Sequence, residues 1–251
     1  MIVLFTDYGL NGPYLGQVKN VLYQEAPGTP VVDLFANAPA HAPKPAAYLL
    51  AAYHGEFPIG TVYFAVVDPG VGGDRKPGVL EADGRWYVGP DNGLFEIIIR
   101  RAAAKPRWWN IVWRPARLSA TFHGRDLFAP IAARLACGDT PDKNPAHGDF
   151  REGPLGDIRH PDWPDDLAEI IYIDDFGNAM TGLRDSALPD QEETAIKGLS
   201  IPRGEKFSDI PEGLPLCYEN SNGLLEIAVN RGRADQLPGI AIGVQVTVSK
   251  K

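Results

Sequence analysis

The chain has 251 residues, enough for one large domain or two smaller ones around a sizeable core. With 44% apolar and 22% charged residues it has the make-up of a globular protein rather than a disordered one. A net charge of -8, with no basic stripe, excludes a nucleic-acid binder, and no apolar run nears the ~18 residues needed to cross a bilayer.

In chain order, residues 2–6 (IVLFT) read as a fully buried strand. A helix is predicted over residues 13–25, with Pro13 in its first turn and Tyr14, Val18, Val21 and Leu22 on one face. Residues 30–34 form a second strand, 45–53 a helix and 61–67 a third buried strand. Residues 78–82 and 85–88 flank Asp83-Gly84, a strong hairpin signal. Asn92 suits the cap of a helix running to Arg101, residues 107–113 read as a strand, and 123–136 as a helix. Strands and helices that alternate, with strands that are apolar throughout, imply an α/β domain with a mainly parallel central sheet covered on both faces.

From residue 138 to 166 the chain becomes rich in Pro, Gly and Asp and loses its periodicity. Beyond it, strand-like runs at 168–173, 214–218, 224–229 and 243–248 alternate with turns, which suggests a small all-β barrel or sandwich. The expected division is residues 1–150, a linker over 151–166, and a β-barrel domain over 167–251. Cys137 and Cys217 stand in no metal spacing and read as reduced thiols. The start MIVLFTDYG has neither a basic leader nor a cleavage pattern, so the expected location is the cytoplasm. No metal and no cofactor are expected.

Asp7 and Asp68 each follow a buried strand, and in an open parallel sheet ligands bind beyond the carboxyl ends of the strands. Each alone is a plausible turn aspartate; two on one edge favour a site. The loop DPGVGGDR lacks both the G-K-[ST] ending and the G-x-G-x-x-G spacing of phosphate loops, and a strand follows it. Its glycines instead permit a tight return that carries Arg75 back beside Asp68. His123 sits in the polar knot H-G-R-D at a helix start; the other histidines, His41, His54, His147 and His160, receive no role. PDNGLFE reads as a turn with a helix cap. In YIDDFGN, Phe176 suits stacking on a flat ring, and Asp174 and Asn178 suit polar groups around it. Ser221, Asn222 and Glu226 form a further polar group near an apolar strand.

Taken in order, FTDYGL, VVDPGVGGDR, GPDNGL, TFHGRDLFAP, YIDDFGN and NSNGLLEIAVN resemble the S-adenosyl-L-methionine (SAM) hydroxide adenosyltransferase family, the SAM hydrolases, relatives of the fluorinating and chlorinating SAM enzymes. The resemblance implies hydrolysis of SAM to adenosine and L-methionine by attack of water or hydroxide on the 5' carbon. It implies a catalytic trio of Asp68, Arg75 and His123; which member takes the proton stays open, and the expectation here is that Arg75 holds the hydroxide while Asp68 and His123 orient it. It implies that Asp7 binds the ribose hydroxyls, that Phe176 stacks on adenine, and that Asp174, Asn178 and Ser221 hold the methionine end. Asn222, Glu226 and the Val229 backbone complete the implied substrate contacts. Asn222 stands where the halogenating relatives carry an Arg, and Gly124 where they carry a halide-contacting Ser. The resemblance further implies a homotrimer, with sites between one subunit's first domain and its neighbour's second. Two alternatives stay open: transfer to a halide or another small nucleophile, and a non-catalytic adenosine or SAM binder.

Overall fold

The structure, a computed structural model, describes residues 1–143, 148–188, 192–196 and 198–250; His147 lies outside them. The chain divides into two compact units, residues 1–161 and 162–251.

The first unit is built on a seven-stranded sheet. Its strands are β1 (Ile2–Thr6), β2 (Val31–Phe35), β3 (Val62–Val66), β4 (Pro77–Ala82), β5 (Arg85–Pro90), β6 (Arg107–Ile111) and β7 (Phe150–Gly153), in the order β2-β1-β3-β5-β4-β6-β7. The pairs β2-β1, β1-β3 and β3-β5 are parallel, and the three pairs beyond β5 are antiparallel. The sheet is therefore mixed, with a parallel half that carries both Asp7 and Asp68. The helices are α1 (Tyr14–Glu25), α2 (Pro43–Tyr53), α3 (Glu96–Arg101) and α4 (Ala129–Ala136). Helix α1 packs with α4, and α2 with α3.

Every residue of β1 and β3 is buried, as their unalternated apolar sequences require. Ile2, Leu4, Val62 and Phe64 join Leu15, Val18 and Leu22 of α1 and Ile131 and Leu135 of α4 in one core. Gly78 leaves its β4 position open for the ring of Trp108 on the neighbouring strand, where any Cβ would collide with it.

Two expectations need correction. The return from β3 to β4 is no hairpin, because β5 lies between them; residues 67–76 cross over its end. The stretch 151–166 is also not loop throughout. Residues up to Gly153 pair with β6, where Trp109 sits opposite Glu152, and Leu155–Ile158 form a 3-10 turn. The buried Glu96 then receives Arg159 Nε at 2.8 Å and the His160 amide at 3.0 Å. Alternation was invisible there because β7 is a short edge strand whose side chains are largely exposed.

The second unit consists of antiparallel strands β8 (Leu167–Ile173), β9 (Ala179–Arg184), β10 (Glu192–Ile196), β11 (Leu199–Ile201), β12 (Pro215–Glu219), β13 (Leu224–Val229) and β14 (Thr247–Lys250). They form a four-stranded sheet, β12-β13-β9-β8, and a three-stranded sheet, β11-β10-β14. The expected closed barrel is not continuous among the described residues. Single bridges, Glu169 to Gln245 and Arg203 to Cys217, join the sheet edges instead. Beyond β11 the Cys217 amide donates to the Pro202 carbonyl at 2.9 Å, and before β14 the Val246 amide donates to the Ala168 carbonyl at 2.9 Å, so the edges are laced by backbone bonds without a regular ladder. Ile170, Ile196, Leu225 and Ile227 form the unit's own core.

Candidate active site

Strands β1 and β3 pair in register with Thr6 opposite Val66, so their ends lie about 4.8 Å apart. From β1 the chain leaves toward β2; from β3 it leaves toward β4 and β5, on the other side. Such a reversal opens a crevice at the carboxyl edge. Asp7 and Asp68 stand on its rim.

The loop after β3 brings Arg75 to Asp68. Arg75 Nε donates to both carboxylate oxygens, at 3.0 and 2.9 Å, and one terminal nitrogen, Nη2, donates to Oδ2. The two side chains are only 9% and 5% exposed, so water screens this pair weakly. The same Nη2 lies 2.8 Å from His123 Nδ1. Arginine has no acceptor atom, so Nδ1 must accept, and the proton of the neutral imidazole sits on Nε2. Burial first, and the Arg75 charge second, hold the His123 pKa below its ordinary value, which keeps the ring neutral.

The glycines serve close approach. Gly72 has φ +78°, and a Cβ there would overlap the carbonyl oxygen of Ala120, in the segment that leads to His123. The turn after β5 clamps both ends of the loop. Asn92 Nδ2 donates to the Val67 carbonyl at 2.8 Å, and the Lys76 amide donates to Asp91 Oδ1 at 2.6 Å. Asn92 is thus no helix cap; α3 begins at Glu96, after Phe95. His123 precedes a π-helical turn, Gly124–Phe128, that leads into α4. Such turns recur at functional sites.

Two cavities open beside these groups. The smaller, about 110 Å³, is lined by Asp7, Tyr8, Asp68, Phe122, His123 and Gly124, among others. The larger, about 490 Å³, shares Asp7, Tyr8 and His41 with it and extends to Tyr14, Gln17 and Arg125. Arg75 lines neither; it ties Asp68 to His123 from outside the cavity wall.

Asp7 Oδ2 accepts the His41 amide at 3.0 Å. His41 has φ +56°, a left-handed backbone unusual for a non-glycine residue and common at ligand clamps. Tyr8, Tyr14 and Phe122 pack edge to face, and Arg125 lies over Phe122 while bonding Asp126 and Gln17. The sequence gives little sign of this wall. Its one signal is position: Tyr8 adjoins Asp7, and Phe122 adjoins His123.

In the second unit, the Asp174–Asn178 turn joins β8 to β9. Asp174 Oδ1 accepts the Asn178 amide at 2.8 Å, and Gly177 has φ +84°. Phe176, at the tip, is 77% exposed. Glu226, on β13, is buried; Tyr218 and Asn220 bond its carboxylate. Burial raises its pKa against those hydrogen bonds, with Asp174 adding to the rise. Val229 ends β13 and is buried. Ser221 and Asn222 bond each other in the β12–β13 turn. Because Leu224 pairs with Arg184 and Ile227 with Ala179, that turn lies at the opposite end of β9 from Phe176, ~16 Å along the strand. The sheet thus groups Asp174, Phe176, Asn178 and Val229 at one end and Ser221 and Asn222 at the other, with Glu226 between.

A polar cleft at the switch point of an α/β sheet is the usual place for a small-molecule site, and the chain carries a separate all-β unit as well. Residues 2–144 match the SAM hydroxide adenosyltransferase N-terminal domain and residues 168–247 its C-terminal domain. The chain belongs to this family. It is 39% identical to an (R)-S-adenosyl-L-methionine hydrolase of Thermus thermophilus, over 98% of both chains. It is 37% identical to one of Salinispora arenicola, over 97% of this chain and 95% of that one. A solved structure of an uncharacterized conserved protein from Thermotoga maritima superposes with a TM-score of 0.82 at 27% identity, covering 99% of this chain and all of that one.

Proposed function

We propose that the protein hydrolyses SAM to adenosine and L-methionine. The observation that carries this reading is the Asp68–Arg75–His123 network at a small cavity beside Asp7, in a chain so similar to named SAM hydrolases. Water's oxygen attacks the 5' carbon, the C–S bonding pair stays on sulfur as the neutral thioether of methionine, and one proton is released. A sulfonium leaves readily, so no general acid is required, and the difficulty lies in the nucleophile, since free water gives up its proton only far above neutral pH.

The tautomer of His123 divides the roles. Its Nε2–H is a donor and holds the attacking oxygen; Nδ1 is occupied by Arg75. Asp68 is then the trio member with lone pairs toward the cavity, and it receives the proton. Arg75 is a positioning residue that fixes both partners, and its charge favours the developing hydroxide. This differs from the sequence-based expectation that Arg75 itself holds the hydroxide. Asp7, with Oδ1 free of the His41 amide, suits the ribose diol. Phe176 would stack on adenine, Asp174 and Asn178 would bond polar groups of the substrate beside it, and Glu226 and the Val229 backbone would add contacts; the expectation that Ser221, with Asn222, joins Asp174 and Asn178 at the methionine end does not fit the place of that turn at the far end of β9. We further read the protein as a cytoplasmic homotrimer in which these second-unit turns complete a neighbour's site; sedimentation analysis tests the assembly.

The deciding experiment incubates the protein with each sulfonium epimer of SAM, since the relatives' name specifies an (R) form. Chromatography follows adenosine and methionine, and ¹⁸O-water shows whether solvent oxygen enters the 5' position. Absence of adenosine with both epimers would sink the proposal.

A further inference from the structure

Tyr8 follows Asp7 at the end of β1, and its side chain forms wall common to both cavities. Its ring is held by Phe64 at 6.5 Å and Phe122 at 5.8 Å between centroids. Its hydroxyl has no hydrogen-bond partner among the described residues. Burial, then the carboxylates of Asp7 and Asp68, push the phenol's pKa far above its ordinary value, so it stays a neutral O–H. That hydroxyl fills the space where any side chain on Gly124 would begin; a Cβ there would overlap it outright. Gly124 directly follows His123 and lines the same small cavity. The phenol therefore takes the place of a side chain at position 124.

We propose that Tyr8 positions the nucleophile: its hydroxyl donates to the attacking oxygen, which in turn donates to Asp68. This rests on the hydrolase reading and adds a residue that the trio does not include. Once its proton passes to Asp68, the oxygen has three lone pairs: two accept from Tyr8 and His123 Nε2–H, and the third attacks the 5' carbon. A halide ion only accepts, and here it would face Asp68 and Asp7 with no hydrogen to offer them. The phenol remains neutral throughout, and the proton still leaves through Asp68.

The test compares the native protein with Tyr8→Phe, Gly124→Ser and the double variant, measuring kcat and KM for adenosine formation from SAM together with melting temperature. Tyr8→Phe retains the ring packing; the expected result is a 10- to 100-fold loss of kcat with KM within threefold and the melting temperature unchanged. Gly124→Ser is expected to lose more, and the double variant to recover at least threefold over it, because an outright overlap with the hydroxyl is replaced by a tight 3.0 Å contact with the ring carbon Cζ. Tyr8→Phe with kcat within twofold of the native protein overturns the proposal, as does a loss confined to KM or melting temperature. A double variant no better than Gly124→Ser overturns the steric pairing. If the native protein makes no adenosine, the hydrolase reading fails and this inference with it; native turnover with a fully active Tyr8→Phe removes Tyr8 alone.

Discussion

The cleft of the first unit and the turns of the second are built by opposite rules. In the cleft, charged groups are buried and paired with one another: Asp68 and Arg75 share three hydrogen bonds, and His123 is held by the same guanidinium. In the second unit, the carboxylates of Asp174 and Glu226 are already bonded by neighbours, while the large apolar ring of Phe176 is left 77% exposed. A network fixed in advance lowers a barrier, because no reorganisation is needed as charge develops. An exposed ring over a satisfied polar base offers stacking area without committing buried charge. Substitutions in the first should act on kcat, and those in the second on KM.

The largest effect should come from Asp68→Asn. It keeps the shape but removes the proton acceptor, and steady-state kinetics should show kcat lowered by about 10³ with KM little changed. Arg75→Lys comes next. One ammonium cannot reproduce the forked contact to Asp68 together with the bond to His123, so kcat should fall by about 10² through misplacement of both. If that variant altered KM alone, the division between the two regions would be broken. Phe176→Ala should raise KM by about 3- to 10-fold, as expected for loss of one aromatic stack, with kcat within twofold.

The smallest effect is on pH dependence, and it separates two histidines. His54 is half-buried with its Nδ1 2.9 Å from the Tyr87 hydroxyl, and desolvation lowers its pKa from 6.5 to about 4. The unfolded chain therefore binds a proton that the folded one refuses. Stability should be full above pH 6.5 and fall as pH drops toward 4, by roughly 1.4 kcal/mol per pH unit at most. Thermal melts of the native protein and His54→Asn between these limits should diverge. His123 shifts in the same direction, so the acid limb of kcat should lie below pH 6.5, where protonation of Nδ1 would expel Arg75.

Much of the first unit is legible in the sequence because its parallel strands are buried on both faces and so read as uniform apolar runs. Asp7 and Asp68 could be placed on one edge from strand ends alone. The proximity of Arg75 to Asp68 could be inferred from glycine content, but the insertion of β5 between β3 and β4 could not, since strand order is set by packing far along the chain. Asn92 and Asp91 looked like cap chemistry because local pattern favours that use; their carbonyl and amide partners lie 25 and 15 residues away. Tyr8 carried no signal beyond its place next to Asp7, because its contact with the open position at Gly124 is made 116 residues downstream. In the second unit β9, AMTGLR, was hidden: Gly182 and Thr181 dilute its apolar pattern, and Thr181 is satisfied by the Leu225 carbonyl only in the folded sheet.

Glu96 has a consequence for dissection of the chain. It is wholly buried, yet two arginines and a backbone amide hold its carboxylate, and hydrogen bonds from them keep its pKa low despite burial. Two of those three groups come from Arg159 and His160, beyond the point where the composition already reads as linker. Removing them would leave the buried anion to Arg100 alone, at a cost of a few kcal/mol. A protease trimming the first unit from its carboxyl side should therefore stall near residue 161. A fragment ending at residue 150 should unfold more readily than one ending at 161, by more than the loss of one edge strand explains.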